Sequence, residues 1–125
     1  MGDFRDVKAW REAHQVALLI YHATRRFPAS EKFGLVDQLR RASTSVGANL
    51  AEGCGRGTDP DRRRSCRIAY GSSYELLSFL LLARDLGFID RAEFDAIEAH
   101  AEPMRKMIAG LIRSLSGPIT RDTRR

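Results

Sequence analysis

The chain has 125 residues and a mass of 14.1 kDa, one domain's worth and long enough to bury a substantial core. Hydrophobic residues make up 43% and charged residues 30%, which excludes wholesale disorder, and the best apolar run, Phe79 to Ala83, is cut by Arg84 and Asp85 well short of a bilayer span. The formal charge is +5 and only Lys8, Lys32 and Lys106 are lysines, so the basic character is that of arginine, whose planar fork suits phosphate or carboxylate partners.

The opening residues, MGDFRDVKAW, carry acids and no apolar stretch of signal-peptide type. Two cysteines, Cys54 and Cys66, make neither a disulfide framework nor a metal set. The expectation is a soluble cytoplasmic protein with no cofactor.

The apolar spacing predicts four helices. Trp10, Ala13, Ala17, Ile20, Thr24 and Phe27 recur at steps of three and four, one buried stripe on a helix over residues 7–26. Pro28 stops it, and Ser30 or a neighbour is the expected cap of the second helix, with Glu31 near its positive end. Leu35, Leu39, Ala42, Val46, Asn49 and Leu50 continue the rhythm until Gly53, Gly55 and Gly57 end it. Thr58-Asp59-Pro60 is a start signal for a third helix whose seam is Cys66, Ala69, Ser73, Leu76, Leu80 and Ala83. Gly71, Ser72 and Ser73 thin its middle and predict a close approach by a neighbour. Gly87 closes it, and Asp90 and Glu93 stand at capping-box spacing before the fourth stripe of Phe94, Ile97, Ala101, Met104, Ile108, Leu111 and Leu115. Pro103 falls on that helix's outward side, where it is expected to kink it.

No strand alternation occurs anywhere in the chain. Short connections between long amphipathic helices predict an all-α, up-down-up-down antiparallel four-helix bundle. Residues 1–116 form that domain and 117–125 a flexible basic tail.

Enzyme chemistry finds little support. His14, His22 and His100 have no Glu-x-x-His partner, and no spacing yields a metal set of the bundle type. Cys54 stands in a glycine-rich turn near Arg56, a setting that favours its thiolate, yet no specific base accompanies it. The Gly53-Cys54-Gly55-Arg56-Gly57 run follows a helix and lacks the Lys-Ser/Thr ending of a phosphate loop. Catalysis is therefore not expected. Asn49 and Glu52 lie on or near the inward stripe of the second helix, and the expected arrangement is a structural polar network of Arg41, Asn49, Glu52 and Arg56, because buried polar groups need partners.

Charge placement is the most informative signal. If the helices alternate in direction, residues 1–16, 44–73 and 104–125 share one end of the bundle. Those segments hold 14 basic and seven acidic side chains, a net of +7, while the rest holds seven and nine, a net of −2. The basic end would be built from Arg5, Lys8, Arg11, Arg56, Arg62, Arg63, Arg64, Arg67 and Arg113. Such an end suits a polyanion, RNA or DNA, through phosphate contacts that position a strand without reading its sequence. The alternative is an interaction scaffold for an acidic partner protein. Leu77, Phe79, Leu81 and Leu82 make the third helix apolar nearly all round, which points to a second buried face and a homo-oligomer.

Several spaced motifs carry a resemblance. They are Val7-x-x-Trp10, Phe27-Pro28, Gly34-Leu35, Gln38-Leu39-Arg40-Arg41-Ala42, Asn49-Leu50-Ala51-Glu52-Gly53-x-Gly55-Arg56 and Ile68-Ala69-x-Gly71-Ser72-x-x-Glu75-Leu76. In this order they resemble the four-helix-bundle family encoded in intervening sequences of bacterial large-subunit ribosomal RNA genes. Ser65-Cys66 stands where the family pattern favours an aromatic or leucine. The resemblance implies a bundle that assembles into pentameric rings. It also implies kinship with the accessory variability proteins of diversity-generating retroelements, basic pentamers that bind nucleic acid and a reverse transcriptase. A polymerase or reverse transcriptase is accordingly the acidic partner that it suggests.

Overall fold

The computed structural model describes residues 2–116, and the expected tail at 117–125 lies outside them. A 3-10 turn, Phe4–Asp6, leads into α1, Lys8–Thr24, and a second 3-10 turn, Ala29–Glu31, precedes α2, Leu35–Cys54. The two long helices that follow are α3, Asp59–Asp85, and α4, Arg91–Ser116.

Local chemistry sets most of the helix ends. Arg25 to Phe27 form a turn rather than continuing α1, and Pro28 follows. Ser30 does not cap α2, because it lies four residues before Gly34, which holds the N-cap position; the Leu35 N–H is instead satisfied by Glu31, whose Oε1 accepts it at 3.2 Å. Thr58 caps α3, with Oγ1 accepting the Asp61 N–H at 3.4 Å and Pro60 in the first turn. Gly87 adopts φ +80°, and its N–H and that of Phe88 reach back to the Arg84 and Ala83 carbonyls, closing α3. The capping box forms in full. Glu93 N–H donates to Asp90 Oδ1 at 2.8 Å, and Asp90 N–H donates to Glu93 Oε1 at 3.1 Å.

Packing makes an all-α square in which α1 and α3 each contact α2 and α4. Every packed pair is antiparallel. Thr24 meets Arg40 while Trp10 meets Gly47, Gly53 meets Ser65 while Ser45 meets Ser72, Arg63 meets Leu115 while Arg84 meets Phe94, and Arg26 meets Glu93 while Glu12 meets His100. The core follows the predicted stripes with shifts in two helices: in α1 Ala9, Val16 and Ala23 are buried while Trp10 and Ala17 are half-buried, and in α2 Asn49 is half-buried. All six seam residues of α3 are buried, as are Ile97, Ala101, Met104 and Ile108 of α4, while Phe94, Leu111 and Leu115 at the ends of that stripe are half-buried.

Small residues set the α2–α3 spacing, though not at all the places expected. Gly53 stays helical and buried, and a Cβ there would stand 3.3 Å from the Ser65 Cβ. A serine where a bulkier side chain is expected thus lets α2 approach. Ser45 and Ser72 share a hydrogen bond of 2.9 Å across the same pair. Gly71 takes no part in the close approach, since it is exposed and a Cβ would meet nothing within 4 Å. Pro103 is half-buried within α4, which runs unbroken across it.

Candidate nucleic-acid interface

Antiparallel packing gathers the start of α1, the end of α2, the start of α3 and the end of α4 at one end of the bundle. The nine cations named from the sequence fall there, and their partners differ. Arg5 pairs with Asp3 at 2.6 Å, Arg56 with Glu52 at 2.8 Å and Arg62 with Asp59 at 2.9 Å. Arg11 donates to the Arg5 carbonyl at 3.1 Å, and Arg63 to the Leu115 carbonyl at 2.9 Å, where a cation favours the negative end of α4. Lys8, Arg64, Arg67 and Arg113 are exposed and form no ion pair among the described residues. A polar cleft of about 290 Å³ opens here, lined by Glu52, Arg56, Asp61, Arg64, Ser65 and Ile68.

Electrostatics at this end follow from those partners. The Arg5 side chain and backbone N–H both bond the Asp3 carboxylate and hold its pKa down to about 2. Burial pushes the Cys54 thiol up instead of favouring the thiolate, which corrects the expectation drawn from Arg56; Cys66 is likewise raised by burial. Neither sulfur is thereby activated as a nucleophile. No group of three or more His, Cys, Asp or Glu side chains suited to a metal ion occurs among the described residues.

The four-residue polar network does not form as one unit. Glu52 is half-exposed, not buried, and pairs with Arg56 one turn on. Arg41 is exposed and pairs with Asp37 at 3.0 Å. The half-buried Asn49 donates to the Ser45 carbonyl at 2.8 Å, with Ser45 Oγ at 3.2 Å. The buried position of this turn is Gly53, one residue past Glu52, so the stripe rotates Glu52 outward. An exposed i,i+4 pair such as Glu52–Arg56 contributes about 0.3–0.5 kcal/mol.

The sequence reading missed the one arginine that is buried among the described residues. Arg105 has 8% of its surface exposed and donates to both Glu98 oxygens, at 3.1 and 2.6 Å, while its guanidinium carbon lies 5.6 Å from the Tyr74 ring centroid. A signal existed: position 105 lies between Met104 and Ile108 on the stripe, and Glu98 is two turns before it on the same face. His100 is the second omission. It shares a 2.7 Å hydrogen bond with Glu12 across α1 and α4, a contact between distant segments that spacing does not reveal.

Two comparisons bear on identity, and a third, with curated proteins, returns no match. A solved protein of unknown function from the S23 ribosomal protein family of Bacteroides thetaiotaomicron VPI-5482 is 22% identical, with a TM-score of 0.77 over 84% of this chain and 95% of that one. At that identity the likeness establishes the fold. The model of the 23S rRNA-intervening sequence protein family matches residues 5–110. An all-α bundle with these motifs and this match over most of its length belongs to the 23S rRNA-intervening sequence protein family.

Proposed function

We propose that this protein is a non-enzymatic, oligomeric bundle that binds nucleic acid through its arginine-rich end, with little sequence preference. One observation carries the reading: Lys8, Arg64, Arg67 and Arg113 are exposed at the same end without a carboxylate partner among the described residues. Uncompensated like charges repel one another and tend to destabilise the compact state. A polyanion supplies the missing counter-charge. The family's name refers to an intervening sequence of 23S rRNA, which makes RNA the first ligand to test. Assembly draws support from α3, where Leu82 and Ile68 are about half exposed, while Leu77, Phe79 and Leu81 are half-buried and Phe79 packs on the core. A homopentamer is the assembly in view, and light scattering at five times 14.1 kDa tests it.

The binding test uses a fluorescein-labelled RNA and a salt titration. Affinity falls with salt at a log–log slope of about −0.7 per phosphate contact on single strands and about −0.9 on duplex. Arg64→Gln, Arg67→Gln and Arg113→Gln together weaken binding and make the slope shallower, while leaving the thermal midpoint nearly unchanged, because exposed charges contribute little to stability. Arg25→Gln with Arg41→Gln, at the other end, leaves binding within about twofold. Equal losses from both sets overturn the assignment to one end. An RNA that fails to bind at low salt removes the nucleic-acid reading and favours a scaffold for an acidic partner protein such as a polymerase or reverse transcriptase.

A further inference from the structure

We infer that the groove between α3 and α4 takes an unpaired base of a single-stranded nucleic acid against Tyr70 and Tyr74, with the adjoining phosphates on the cations above it. The inference rests on the nucleic-acid reading and adds the class of strand and a second element to the site.

The sequence by itself shows no aromatic platform of the kind single-strand binders use, only Tyr70 and Tyr74 one turn apart. The tertiary structure supplies the opposite wall. Tyr70, Tyr74 and Leu77 of α3 and Lys106 and Ala109 of α4 flank a groove of about 280 Å³ that the buried Arg105 also lines, at the lower bound of pockets that hold small organic ligands and so suited to one ring system. The tyrosine rings lie 5.2 Å apart at 78°, and Tyr74 is 49% exposed. Arg105 fixes that ring from inside. Its side chain is nine-tenths buried, held by both Glu98 oxygens, and it sits under Tyr74 as a cation on a π-face. A ring braced in this way loses little freedom when a base stacks on it.

Charge gives the groove a direction. Arg67 precedes Tyr70 by about one turn of α3, and Arg113 follows Ala109 by about one turn of α4, so both lie on the side of the basic end; neither has an ion-pair partner among the described residues. Lys106 is only 3.9 Å from Glu102 in an exposed pair that a phosphate can replace. Glu102 closes the far side, where its negative charge turns phosphates away. A strand entering from the basic end therefore leaves its phosphates on Arg67, Arg113 and Lys106 and turns a base inward. A duplex cannot do this, because its bases are stacked on one another and only its backbone reaches the groove.

Fluorescence anisotropy on the full-length protein tests the inference with a labelled 12-nucleotide oligouridylate, its abasic counterpart, and an RNA duplex of equal length. Tyr74→Leu is expected to weaken the single strand about tenfold, in line with the loss of one stacked base, and to leave the duplex within about twofold. Tyr74→Phe keeps the ring and keeps the affinity. On the unmodified protein, the abasic strand binds about tenfold more weakly than the oligouridylate at the same salt, which tests stacking without any substitution. Equal affinity for abasic and natural strands overturns the groove site while the arginine-rich end stands. Failure of all three probes to bind overturns both.

Discussion

The two ends of the bundle handle charge differently. At the end that holds the α1–α2 and α3–α4 connections, four guanidinium groups are paired, Arg26 with Glu93, Arg41 with Asp37, Arg84 with Asp85 and Arg91 with Asp95, and three cations, Arg25, Lys32 and Arg40, form no ion pair among the described residues. At the opposite end, Lys8, Arg64, Arg67 and Arg113 lack such partners among the described residues. Both ends are built from the same four helices under the same packing rules, so folding alone does not demand the difference. The proposed nucleic-acid binding rests on that surplus. Stability, by contrast, owes little to charge at either end, since the pairs there are largely exposed.

If that contrast holds, the largest electrostatic effect on stability lies between the ends, at Glu98 and Arg105. Glu98→Ala leaves a nine-tenths buried guanidinium unpaired, at an expected cost of about 3 kcal/mol in denaturant unfolding. Glu98→Leu with Arg105→Met recovers most of that loss, because apolar residues of similar size replace the pair. A loss below about 1 kcal/mol for Glu98→Ala would show that the guanidinium finds water or another acceptor, and the contrast between buried and end charges would weaken.

The helix caps offer a smaller and sharper comparison of the ends. Asp90→Ala breaks a reciprocal capping box with two short bonds and is expected to cost about 1 kcal/mol. Thr58→Ala, at the basic end, removes one bond of 3.4 Å and should cost about 0.5 kcal/mol, at the low end for caps. Thermal unfolding of the two variants ranks them; the reverse order would mean that Thr58 anchors the glycine-rich turn before it.

The smallest effect is the titration of Asp3. Its carboxyl pKa is depressed to about 2 by Arg5, so this pair supports the folded state above the ordinary carboxylate value of about 3.9 and loses that support as pH falls through 2. NMR titration should place the midpoint near 2, and Arg5→Gln should move it upward. A midpoint already at the ordinary value would mean that Arg5 is as free as Arg64 and Arg67, enlarging the uncompensated set.

The determinants of the helices and their ends were legible in the sequence because they act over one or two turns. Apolar spacing of three and four, Thr58 before Pro60, the Asp90–Glu93 box and the left-handed Gly87 are all local facts that no distant residue alters. Charge polarity was legible as well, because antiparallel connection of four helices places chain segments at known ends. What only the tertiary structure decided is which polar groups face inward near a stripe's edge, and which side chains meet across helices. A rotation of one residue, about 100° on a helix, puts Gly53 inside and Glu52 outside. The same sensitivity buries Arg105 beside Met104, where hydropathy alone assigns it to solvent. Contacts such as His100 with Glu12, Ser45 with Ser72, and the tyrosine pair with the wall of α4 depend on the distance and angle between helices. Those are set by the summed volumes of small and large side chains at each interface, Gly53 against Ser65 among them, and no single segment of the chain contains that information.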